Sequence, residues 1–126
     1  SPMIAYCFAE KTGYSKFGAY TGNFNNSGTF IYTGFKPSWV IVKKRDDTGN
    51  WRMFDSVRAG GINPANKWMN ADANTAEGTD VQADLLYNGI KIRDAANAFN
   101  TSGSIYIYMA FGQSLVGSNN VCATAR

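Results

Sequence analysis

Histidine is absent from this sequence, and that removes Ser-His and Cys-His nucleophile pairs and His-ligated metal sites together. Of the nine carboxylates, the candidates for acid–base work are Glu10, Asp55, Asp72, Glu77, Asp80, Asp84 and Asp94. A glycosidase needs two of them poised across a bond. Most fall in turns or at strand ends, where Asp normally caps backbone amides. Asp55 and Asp84 differ, because each lies in an expected strand and can face a cleft. Asn70-Ala71-Asp72-Ala73-Asn74 offers alternating oxygens for calcium but lacks the Gly and terminal Glu of an EF-hand loop. It reads as a solvated polar loop. No P-loop, Gly-x-Gly-x-x-Gly or Gly-x-Ser-x-Gly motif occurs. The residues therefore point away from an enzyme, with no catalytic residue, metal or cofactor expected.

Aromatic side chains offer a different chemistry, since sugar C–H groups pack on aromatic faces while amides and carboxylates hold the hydroxyls. Trp68 sits between Lys67 and Met69, with Asn66 and Asn70 close by. A Trp in a polar loop suits a ligand or an interface, and core packing stays equally open. Asn66, Lys67, Trp68, Asn70 and Asp72 form the candidate binding set. Trp39 and Trp51 flank the central hairpin and read as core. On the last strand, Ile105, Ile107, Met109 and Phe111 share one face and Tyr106, Tyr108 and Ala110 the other. If the Ile face fills the core, Tyr106 and Tyr108 point outward as an oligomer contact.

The elements that must position these residues alternate with period two and are broken by Gly and Asn. Strands are expected at Met3–Phe8, Ser15–Thr21, Thr29–Thr33, Ser38–Lys44, Trp51–Asp55, Ala83–Tyr87, Ile90–Arg93 and Ser104–Phe111. Val40-Ile41-Val42 marks the central strand. Asp46 to Asn50 reads as a hairpin loop in which Gly49 supplies positive φ. Asn88-Gly89 is the strongest hairpin signal. Val57 to Asp80 reads as one long irregular loop with at most a short strand around Trp68. Asp94 to Phe99 has enough Ala for one helical turn at most. Short strands at this spacing favour an all-β fold, an antiparallel two-sheet sandwich or a barrel.

The 126 residues fit one domain, 1–126, with 115–126 as a polar tail. Charged residues are 17% and the net charge is +3. That is too weak for a nucleic-acid surface, and Lys43-Lys44-Arg45 reads as a solvated strand end. No apolar run is long enough to span a bilayer. Cys7 and Cys122 read as free thiols, since nothing brings them together. Ile4 to Glu10 echoes Ile107 to Gln113, as expected if the first strand ends a preceding module.

Ala5-Tyr6-Cys7-Phe8-Ala9-Glu10-Lys11, Tyr14-Ser15-Lys16-Phe17-Gly18 and Tyr20-Thr21-Gly22-Asn23 together resemble a recurrent phage module. So do Tyr32-Thr33-Gly34-Phe35-Lys36-Pro37, Trp51-Arg52-Met53-Phe54-Asp55, Asn88-Gly89-Ile90-Lys91-Ile92 and Tyr106 to Phe111. The module is the lectin-like C-terminal domain of bacteriophage tail fibres and other virion structural proteins. One departure is Ala110-Phe111-Gly112-Gln113, where the module usually reads Ala-Phe-Ala-Glu. The resemblance implies a concanavalin-like jelly-roll sandwich carried on the virion and made in the host bacterial cytoplasm. It implies binding to a host cell-surface glycan or protein, alongside other virion subunits. A homo-oligomer is expected, with a trimer favoured. Two alternatives remain: a purely structural virion protein, and a polysaccharide depolymerase.

Overall fold

In a computed structural model of the chain, residues 1–58, 60–95 and 98–113 are described. They form eight strands: β1 Ser15–Thr21, β2 Phe30–Tyr32, β3 Lys36–Lys44, β4 Arg52–Asp55, β5 Ala65–Asn70, β6 Gly78–Leu86, β7 Gly89–Ile92 and β8 Ile105–Gln113. All neighbours pair antiparallel, in the order β1-β8-β3-β4-β5-β6-β7-β2. The all-β expectation holds, and no helix occurs among the described residues. None is therefore long and apolar enough to cross a membrane.

The sheet curls so that one face encloses a single core. Val40 and Val42 of β3, Phe54 of β4, Ala83 and Leu85 of β6, and Ile90 and Ile92 of β7 are all buried there. Each large aliphatic or aromatic side chain so buried contributes about 1.5–3 kcal/mol. Strands β1 and β2 are the two edges, and the segment 22–29 joins them. That segment is stitched down by Gly22 N–H to Ser104 O (2.9 Å), Phe24 N–H to Asn100 O (2.8 Å) and Gly28 N–H to Ile92 O (2.9 Å). The result is a nearly closed barrel.

The structure corrects several expectations. Met3–Phe8 forms no strand, and Met3, Ile4, Tyr6 and Phe8 are exposed. The short strand around Trp68 is present as β5, and the stretch Val57–Asp80 is further shortened by the start of β6. Asn63 explains how β5 docks despite its bulge: its side-chain amide donates to Leu85 O (3.0 Å) and accepts from Leu85 N–H (2.9 Å), replacing a backbone pair. The hairpin at Asn88-Gly89 exists, but its two turn residues are Tyr87 and Asn88. Gly89 is the first residue of β7, where a Cβ would run into the Ile31 carbonyl. Close approach of β2, not positive φ, is what requires glycine there. Gly49 is likewise absent from the residues with positive φ. Ala96 and Asn97, in the expected helical turn, lie outside the described residues, as do Cys122 and the tail 114–126.

The last strand is turned over. Tyr106 and Ala110 are fully buried and Tyr108 is 8% exposed, whereas Ile107 is 36% exposed. Tyr106 and Tyr108 therefore have almost no surface to offer a partner chain, and the expected oligomer contact does not lie there. Polar satisfaction makes the inward tyrosines affordable. Tyr106 stacks on Tyr20 at 5.2 Å, its hydroxyl accepts from Thr101 N–H (3.0 Å), and the Tyr20 hydroxyl donates to Phe99 O (2.7 Å). Trp39 and Trp51 also lie outside the core, half-buried and 39% exposed respectively.

Candidate functional site

The β4–β5 pairing sets Arg52 opposite Asn70. Arg52 also pairs with the buried Val42, so it shares the inward face of β4 with Phe54. Two residues before Asn70, Trp68 points to the same side and packs against the core. The Arg52 guanidinium lies over the indole at 3.7 Å from the ring centroid, a cation–π contact. The ring also rests on the Gly78 backbone so closely that no Cβ fits there. Trp68 is thus held between a guanidinium and a glycine, and it does not stand free on a loop.

Around this stack opens a cleft of roughly 680 Å³ at one mouth of the barrel. Arg52, Trp68, Asp80, Arg93, Asp94 and Asn26 supply its polar groups, and Pro64, Val81 and Ala98 its apolar ones. Barrel mouths are usual places for ligands. Burial pushes the Arg52 guanidinium below its ordinary pKa, while Asp94 and Asp80 act the other way. Arg52 stays protonated nonetheless. Its Nη1 donates to Oε1 of the fully buried Gln82 (3.3 Å). Arg93 Nη1 is 2.9 Å from Asp84. Two donors remain: Arg52 Nε and Trp68 Nε1 are buried and find no acceptor among the described residues. Buried donors are normally satisfied, so both are exceptions, and neither atom is exposed to the cleft.

Of the expected binding set, only Trp68 lines this cleft. Asn66 is half-buried at the β5 bulge. Lys67 donates to Thr79 Oγ1 (2.8 Å) on the far side of the strand. Asn70 is buried and donates to Thr75 Oγ1 (3.2 Å). Asp72 accepts from Trp51 N–H (3.0 Å) and serves as a turn cap. The two carboxylates that merited inspection are engaged as well. Asp55 accepts from Val57 and Arg58 N–H and pairs with the Arg58 side chain at 2.7 Å, and Asp84 holds Arg93. Sequence reasoning missed Asn26, Arg52 and Arg93, and read Asp80 and Asp94 as turn or strand-end carboxylates. For Arg52 a signal existed, a charge on the same strand face as Phe54.

A family model covers residues 1–114, and its description is a domain of unknown function, DUF7483. The chain belongs to this family. No curated protein and no solved structure matches it. Among the described residues no three His, Cys, Asp or Glu side chains gather as a metal ion would require.

Proposed function

We propose that this DUF7483 domain is a receptor-binding unit of a bacteriophage tail fibre or related virion appendage. Its cleft takes a neutral, polyhydroxylated host-surface glycan. The observation carrying this reading is the cleft in which the Trp68 indole, stacked under the Arg52 guanidinium, stands together with Asp80, Arg93, Asp94 and Asn26. Arg93 is already neutralised by Asp84, and Arg52 faces both Asp80 and Asp94, so an anionic ligand gains little. Hydroxyl groups suit such a site, because each can both accept from a guanidinium and donate to a carboxylate. The sequence resemblance to lectin-like fibre modules supports the same reading. The runs β1-β8-β3-β4 and β5-β6-β7-β2 then correspond to the two layers of a lectin-like sandwich. Such a site binds weakly alone and strongly when several copies are displayed together.

The test is a glycan array probed with the purified chain, followed by titration of any captured oligosaccharide. Val81 stands on the cleft rim and is 42% exposed. Val81→Arg is expected to fold normally and to weaken binding at least about tenfold, a loss of about 1.4 kcal/mol. Equal binding by Val81→Arg and the wild type would remove the cleft from the account. Shortening of the oligosaccharide during titration would instead favour a depolymerase using Asp80 and Asp94.

A further inference from the structure

The outer face of the sheet around β8 is apolar, and so is the segment that leads onto it. Trp39 and Ile41 of β3, Met109 and Phe111 of β8 and Phe17 of β1 are in register across three strands. They alternate with the buried Val40, Val42 and Ala110, so they stand on the outside. Phe111 is the centre of this patch, with ring centroids of Phe8, Tyr14, Phe17 and Trp39 between 5.8 and 6.0 Å away. Residues 9–11 are tied to the start of β1: Ser15 Oγ donates to Ala9 O (3.2 Å) and accepts from Lys11 N–H (2.9 Å). Glu10 accepts from Phe17 N–H (3.2 Å). The segment before them leaves from that fixed point beside the patch. It holds no Asp, Glu, Lys or Arg, and Met3, Ile4, Tyr6 and Phe8 are 92%, 81%, 81% and 58% exposed.

We propose that residues 1–7 are an exchange arm, anchored where Phe8 rests on Phe111 of its own sheet, which covers the rest of the outer β1-β8-β3 face of a second copy of this chain while that copy's arm does the same in return or around a ring. Reach and area both fit a second copy. An extended Met3–Cys7 spans about 14 Å, within the roughly 20 Å that Ile105 to Phe111 spans along β8. Met3, Ile4 and Tyr6 expose roughly 500 Å² per arm, so two exchanged arms and the faces beneath them bury about 2,000 Å² in total, as stable interfaces do. Arm and face are both apolar and come from one chain, so self-association covers both at once.

Sedimentation or light scattering of the full chain tests this. At about 100 µM the wild type is expected to be an oligomer dissociating at micromolar concentrations, with a mass that is a multiple of 13.7 kDa. Tyr6→Glu in the arm and Ile107→Glu on the face should each weaken association at least tenfold while retaining the wild-type circular dichroism. Ile41→Glu is the second face variant if Ile107→Glu does not fold. Mixing an arm variant with a face variant pairs one intact arm with one intact face and should restore a heteromer. A wild-type monomer, with the arm folded on its own sheet or on nothing, would overturn the proposal. So would an oligomer indifferent to both variants, or a mixture that fails to associate.

Discussion

Asn100 shows how much of this fold rests on single polar side chains. It is fully buried, and its amide donates to Asp94 O (2.7 Å), Asn25 O (2.9 Å) and Asn23 Oδ1 (3.2 Å) while accepting from Asn23 N–H (3.0 Å). Asn100→Ala leaves those partners unsatisfied and should cost about 2–4 kcal/mol in denaturant unfolding. Tyr20 gives a pH dependence. Burial first, and Tyr106 second, raise its pKa well above the ordinary phenol value. The unfolded chain therefore ionises first, near about pH 10. Stability from this group is full below that pH and falls as pH rises beyond it. Urea titrations up to about pH 11 should show a decline that is shallower in Tyr20→Phe, whose baseline stability is lower because Phe99 O loses its donor. The inward turn of Tyr106 was not legible in the sequence for a related reason. Hydropathy places Ile105 and Ile107 inside ahead of two tyrosines. What decides is whether each phenol finds a partner, and Thr101 is such a partner only once the chain has folded.

At the scale of elements, most strands were legible from alternation or from continuous β-branched runs, although Met3–Phe8 alternates and forms none. Ser15–Thr21 became β1 without change, and Val40-Ile41-Val42 lies in the centre of β3. β5 was obscured because Asn66, Lys67 and Asn70 are polar and its register is broken by a bulge. Its place in the sheet depends on the Asn63 amide and on Gly78 accepting the Trp68 ring, both outside the strand's own pattern. Glycines separate turn geometry from strand contact. Gly89→Ala drives a methyl into the Ile31 carbonyl and should destabilise by about 1–3 kcal/mol. Gly49→Ala meets nothing closer than Lys44 Cβ at 3.7 Å, and Gly49 does not have positive φ. It should be neutral or stabilise by up to about 1 kcal/mol. Thermal melts of the two variants side by side check the contrast.

At the scale of the whole molecule, curling one sheet creates two surfaces with different compositions. The inner face closes over a core except at one mouth, where Arg52 and Trp68 line a polar cleft. The outer face keeps the apolar residues that a sequence reading assigns to the core. Residues from loop 22–29, β4, β5, β6 and the end of β7 meet at the mouth. Such a site is invisible to motif searches, because none of its members is close to another in sequence except at Asp80–Val81 and Arg93–Asp94. The most direct test is amide chemical-shift mapping of the labelled chain titrated with an oligosaccharide of the host surface. Shifts grouped at Asn26, Arg52, Trp68, Asp80, Val81 and Arg93, with the Trp68 indole N–H moving most, are the expected result. Shifts confined to the Phe17–Met109–Phe111 face, or absent at saturating ligand, would contradict the account.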